Sequence, residues 1–316
     1  MADFELALFL KVRKFSRLAV ALAIIAAFIF AKLIASSSNN WQVVIALFAL
    51  AVGIPHGALD HLVTLPKSSP LKMAGFIAIY VAVAIVAVIG LLAWNVVGFI
   101  AVVAMSAIHF GIGDAAFISE IDRRKTDHNK FPRYLYAAAA GSIPVLIPLV
   151  NSKSAAALQR VNPALLNWHQ GQNNNLMLWT ILLSGFALLR LIKLRRDSDA
   201  IDLGLLLVLA LIAPPLVAFA VYFGCWHAMR HTARLTLVLP RSQKALAEGK
   251  SGRAFIAAIW PGIPALVGTF VVAAAIIAAR GGSISDQFLW ITLVVVWALT
   301  VPHMAVTARL DRKALQ

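Results

Sequence analysis

Residues 73–94 read MAGFIAIYVAVAIVAVIGLLAW, without a single charged side chain. At 1.5 Å of rise per residue, a helix of this length crosses the roughly 30 Å hydrocarbon core of a bilayer. The rest of the chain agrees with that run. Of 316 residues, 61% are hydrophobic and 13% charged, against about 45–50% and 25% in soluble domains. This composition excludes intrinsic disorder and an ordinary soluble enzyme. The expected fold is all-α, a polytopic membrane bundle forming one membrane-embedded domain over residues 1–316.

Working outward, apolar runs at 17–35, 41–61, 96–118, 134–150, 174–194, 254–279 and 286–308 read as further spans. The stretch 201–239 is apolar but interrupted at Pro214-Pro215, where the backbone hydrogen-bond ladder must break. It reads as a short crossing at 201–213 and a longer one at 215–239. The total is about ten helices. The basic N-terminal stretch followed by LAVALAIIAAFIF looks like a signal peptide, but its apolar run is long and no clear A-x-A site follows, so it reads as a retained helix.

The charges support this topology. With both termini in the cytoplasm, all of the 28 Lys and Arg residues except Lys32, Lys153, Arg160 and Arg280 fall on the inner side, as the positive-inside rule requires. The +15 net charge is therefore assigned to topology and anionic lipid headgroups, not to nucleic acid. Arg230 and Arg234 are expected to snorkel toward headgroups. The location this implies is a bacterial inner membrane. The sequence leaves the oligomeric state open.

Cys225 is the lone cysteine, which excludes an intrachain disulfide and any multi-cysteine metal site. It reads as a small buried hydrophobe. The glutamates (Glu5, Glu120, Glu248) avoid the apolar runs, so a carboxylate-bridged di-iron bundle is excluded too. The histidines are the informative residues. His128 and His169 read as solvated loop residues. His56, His61, His109, His227, His231 and His303 lie within or at the ends of spans, where an ionisable group is costly and marks function. Apart from His61, they lie about 12–17 residues into the second, fourth, eighth and tenth spans, roughly 18–25 Å along each. All four spans run from outside to inside, so these rings converge on one layer in the cytoplasmic half.

His227 and His231 are i, i+4 and share a helix face, a spacing that can grip one metal ion. His56 and Asp60 share the same spacing, so Asp60 either orients an imidazole through its far nitrogen or pairs with an arginine. His61 lies about 140° off that face and reads as an outer-sphere residue or one at the membrane edge. Asp114 reads as an outer-sphere group or as the end of its helix, with Gly111 and Gly113 allowing close helix approach. His303 follows Pro302. It either joins the site from outside or caps the carbonyl that the proline frees.

Neutral imidazoles without a certain carboxylate suit iron, zinc or copper and disfavour magnesium or calcium. Three functions fit. One is a non-haem iron oxygenase of a lipid-soluble substrate, with Phe110, Phe117, Tyr222, Phe223, Trp226, Trp260, Trp290 and Trp297 as candidate aromatic walls. Another is a zinc-dependent hydrolase of membrane lipids. The third is a bis-histidine haem or pigment carrier. No mid-span lysine is placed to hold retinal as an opsin does.

The motifs PHGALDH (55–61), HFGIGD (109–114) and YFGCWHAMRH (222–231) together resemble the Brp/Blh family of integral-membrane β-carotene 15,15′-dioxygenases. The resemblance implies Fe2+ held by His56, His109, His227 and His231, with O2 as cosubstrate and retinal as product. Asp60, His61, Asp114 and His303 are then expected around those ligands, and Phe110, Tyr222, Phe223 and Trp226 along the carotenoid. A polyene standing along the membrane normal has its centre near mid-membrane, so a site in the inner half requires the substrate to tilt or bend.

Overall fold

The structure is a computed structural model and describes residues 2–33, 40–65, 69–125, 130–281 and 284–316. Lys67, His128 and the end of the 17–35 span lie outside the described residues. Among those described, the chain is helical throughout, without a strand.

In chain order the helices are α1 (Ala2–Leu33), α2 (Asn40–Gly57), the short α3 (Asp60–Thr64), α4 (Pro70–Ala93) and α5 (Asn95–Asp122). They continue with α6 (Arg133–Val150), α7 (Ser154–Val161), α8 (Asn173–Lys193) and α9 (Asp197–Ile212). The last are α10 (Pro215–Val221), α11 (Met229–Leu235), α12 (Pro240–Ala247), α13 (Ser251–Ile259), α14 (Ile263–Ala279) and α15 (Ile284–Leu315). The break at Pro214-Pro215 falls where the sequence puts it. Ala213 and Pro214 are extended, and Pro215 opens α10 at a position where its missing N–H costs nothing.

Seven helical stretches are long and apolar enough to cross a membrane: Val44–Thr64, α4, α5, α6, α8, Ser251–Ala279 and Gln287–Leu315. The remaining three expected crossings are helical but do not meet that measure among the described residues. α9 has 16 residues, about 24 Å. The stretch from Pro215 to Leu235 changes helix type midway. The first half of α1 carries Arg13, Lys14 and Arg17. The outer surface suits lipid, since α4 leaves Leu71, Ile79, Val86 and Ile89 largely uncovered, which only an apolar solvent tolerates.

Inside, α5 and α6 cross backbone to backbone. A Cβ on Gly111 would stand 1.9 Å from the Ala137 carbonyl oxygen, and one on Gly141 would stand 1.8 Å from that of Ala107. Both positions therefore require glycine.

The arginines depart from expectation. Arg230 and Arg234 do not snorkel; each is 1% exposed. Arg230 bonds Asp202 at 3.0 Å and Arg234 bonds Asp311 at 2.6 Å. Asp202 also takes Arg13 at 3.0 Å and Arg17 at 2.5 Å, while Arg196 spans Asp122 and Asp199. The physical reason is a carboxylate within reach of each guanidinium. A paired charge can be buried in a place where a lone one must find water.

Candidate metal centre

Five histidines from four parts of the chain meet in the interior. α2 supplies His56, α5 supplies His109 and α15 supplies His303, while His227 lies in the segment joining α10 and α11 and His231 in α11 itself. All five are buried. His56 has its ring centroid 5.6 Å from His227, 5.2 Å from His231 and 5.5 Å from His303. His109 stands 5.0 Å from His227 and 5.1 Å from His303. His231 and His303 are 5.5 Å apart, and His227 and His231 are 6.2 Å apart.

Local structure explains how the rings arrive. Residues Tyr222–Ala228 form a π-helical segment between α10 and α11, a feature that concentrates at functional sites. Along this stretch Phe219, Phe223, His227 and His231 form an i, i+4 column of nearly parallel rings, tilted 8°, 18° and 22° from one to the next. Gly113 makes room for the column on α5, because a Cβ there would come 3.2 Å from the His227 ring. Gly53 does the same for Phe223 on α2, where a Cβ would overlap the phenyl ring.

The nitrogens identify what the cluster offers. Among the described residues, the Nε2 atoms of His227, His231 and His303 are buried without a hydrogen-bond partner. Each such orphan costs about 1–3 kcal/mol. His56 donates from Nδ1 to the Gly53 carbonyl oxygen, which leaves its Nε2 as the lone-pair nitrogen. His303 Nδ1 lies 3.0 Å from both carboxylate oxygens of Asp60, and Tyr80 Oη donates to Asp60 at 2.9 Å.

The donor set fits a metal ion. Imidazoles sharing one ion at about 2.1 Å have centroids roughly 4.5–6.4 Å apart, depending on the angle between them, and the quoted spacings fall in that range. Among the described residues, no group of three or more His, Cys, Asp or Glu is already set at metal-binding positions. The fit is therefore one of donor chemistry and ring spacing.

A cavity of about 370 Å³ lies against the cluster, lined by His56, His109 and His303 together with Phe76, Tyr80, Phe110, Phe219, Phe223 and Trp297. A second, almost wholly apolar cavity of about 100 Å³ shares Ser106, Phe219, Phe223 and Trp297 with it as walls.

The predicted residues sort accordingly. His56, His109, His227 and His231 come together. Phe110 and Phe223 line the larger cavity, whereas Tyr222 and Trp226 are not among its walls and bond Asp114 at 3.2 and 3.0 Å. Asp114 thus serves two aromatics rather than a histidine, and α5 runs on to Asp122, so it is not the helix end. Asp60 meets His303 rather than His56 or an arginine, because α2 stops at Gly57 and a new turn begins at Asp60. His303 binds that carboxylate and does not cap a carbonyl. His61 is half-buried at the cavity wall, outside the ring cluster. Cys225 is half-buried rather than enclosed. Trp260 is exposed, while Phe117 packs on Phe9 and under Arg230. Sequence reasoning missed Phe219 and Tyr80. Phe219 was within reach of it, lying four residues before Phe223 on the histidine face.

Comparison with known proteins fits this geometry. A family model described as Beta-carotene 15,15′-dioxygenase matches residues 47–311. The chain belongs to that family. All five clustered histidines fall within the matched region. A protein named Beta-carotene 15,15′-dioxygenase from an uncultured marine bacterium, 66A03, is 29% identical over 196 residues, covering 57% of this chain and 64% of that protein. The chain thus aligns with slightly less than two thirds of that relative. A protein named Probable beta-carotene 15,15′-dioxygenase Blh, from Halobacterium salinarum, is 26% identical over 308 residues, covering 84% of this chain and 82% of that protein. No solved structure matches.

Proposed function

We propose that this chain is an iron-dependent oxygenase, a single membrane-embedded domain that cleaves β-carotene at its central double bond to give retinal. The observation that carries the reading is the set of buried, unpartnered imidazole nitrogens beside an aromatic cavity, in a chain whose family is described by that reaction. His56, His109, His227 and His231 hold Fe2+. Bound iron supplies the redox chemistry that lets O2 react with an alkene. One β-carotene and one O2 balance two molecules of retinal, with no reductant required.

The protein residues do the rest. Phe110, Phe219, Phe223 and Trp297 hold a polyene that has no polar group to grip, and the same apolar walls keep water from the reacting carbons. Tyr222 and Trp226 act through Asp114 to seat the helix that carries His227. The placement of basic residues favours both termini in the cytoplasm of a bacterial inner membrane. A zinc lipid hydrolase would use the same donors, but the family description supports an oxygenase.

The test is what the reaction consumes. Bacterial cells engineered to make β-carotene and this protein are expected to lose their orange colour and accumulate retinal, and to do neither under strict anaerobiosis. Bleaching at full rate without O2, or no bleaching by iron-loaded protein in air, overturns the proposal.

A further inference from the structure

We propose that His303 is a fifth imidazole of the metal centre, and that Asp60 and Tyr80 form a relay fixing which of its nitrogens it presents. This rests on the iron-centre reading and extends it to a residue outside the motifs that suggested that reading.

The position comes first. The His303 ring is 4% exposed and stands within 5.1–5.5 Å of His109, His56 and His231. It is as deep in the cluster as the motif histidines. The tautomer follows from its partner. A carboxylate only accepts, so the nitrogen facing both Asp60 oxygens at 3.0 Å carries the proton. Nε2 is then the lone-pair nitrogen, and among the described residues it is buried without a partner, as are those of His227 and His231. A ring that served only to pack α15 would have no reason to keep a buried nitrogen bare among rings that do the same.

The charge of Asp60 gives an independent argument. It is buried, and among the described residues its side-chain partners are His303 and the Tyr80 hydroxyl, neither a fixed cation. Of the other buried aspartates, Asp122, Asp199, Asp202 and Asp311 pair with arginine, while Asp114 is held by Tyr222 and Trp226 instead. A divalent ion on the far side of the His303 ring supplies the missing positive charge through the imidazole. Carboxylate–histidine–metal arrangements have this form, and they fix the ring and raise its basicity. None of the other four rings bonds a carboxylate among the described residues. The break between α2 and α3 is what frees Asp60 for this role.

The experiment uses full-length protein in detergent, titrated with Co2+, whose visible absorption reports the number and type of ligands, alongside iron content by mass spectrometry. His303→Ala is expected to change the Co2+ spectrum and weaken binding at least tenfold, with added imidazole restoring the spectrum. Asp60→Asn is expected to weaken binding 10–100-fold while keeping a histidine-rich spectrum, and Tyr80→Phe to weaken it less. If His303→Ala binds Co2+ with the wild-type spectrum and affinity, His303 is not a ligand and the proposal fails while the iron centre stands. If His303→Ala does not fold, unchanged affinity in Asp60→Asn overturns the relay. Wild-type protein that binds neither metal overturns this proposal and the iron-centre reading together.

Discussion

Replacing His227 and His231 together by alanine is expected to reduce bound iron from near-stoichiometric to background and to abolish retinal formation. The loss should exceed the 10–100-fold that follows removal of an outer-sphere partner. Both rings are buried in the cluster with unpartnered Nε2 atoms, and alanine leaves two gaps that no neighbouring side chain fills. The two substitutions keep the helix intact, because alanine is a better helix former than histidine. His169→Ala, in a turn where its ring accepts from the Gly171 amide, serves as the matched control and should retain full metal and activity. Retention of iron in the double variant would remove these residues from the centre.

The second large effect concerns stability. Asp202 is fully buried and receives Arg13, Arg17 and Arg230. Asp202→Ala leaves Arg13 on Asp199, and Arg17 and Arg230 on the neutral Ser198 carbonyl and Ser16 hydroxyl, which is expected to cost about 3–5 kcal/mol. A thermal melt in detergent would read this as early unfolding, and Asp202→Asn, nearly equal in shape, separates charge from packing. An unchanged melt for Asp202→Ala would show that the network contributes nothing. The effect should reach the centre as well. Arg230 stacks 3.5 Å from the Trp226 ring, Trp226 bonds Asp114, and Trp226 lies in the same π-helical segment as His227.

The helical architecture was legible because a span must be apolar along its whole length, and Pro214-Pro215 interrupts the ladder wherever it stands. The meeting of His56, His109, His227 and His231 was legible too, because helix direction and rise fix depth without knowledge of packing. What could not be read depends on rotation about helix axes. On an α-helix Tyr222 and Trp226 already stand about 140° and 100° from His227, but nothing in YFGCWHAMRH shows that they turn to Asp114 or that the segment is π-helical. Asp60 and His303 are 243 positions apart, so their bond is a tertiary fact. The buried ion pairs left a fainter trace. Arg13 and Arg17 are i, i+4, and Asp199 and Asp202 are i, i+3, so each pair shares one helix face. The positive-inside rule counts cations and overlooks the anions they meet.

The larger cavity is walled on one side by Ile77 and Val81 of α4, which are 45% and 47% exposed. In a bilayer that exposure faces acyl chains. The site therefore equilibrates with a two-dimensional solution and, under the function proposed above, the quantity that sets its saturation is the mole fraction of carotenoid in the lipid, not its molarity in the suspension. Added inert lipid or detergent dilutes the substrate and slows turnover even when every bulk concentration is unchanged. Under the same proposal retinal is released into the phase from which the carotenoid was drawn, so product inhibition follows the membrane's own content of retinal and eases only as another process withdraws it.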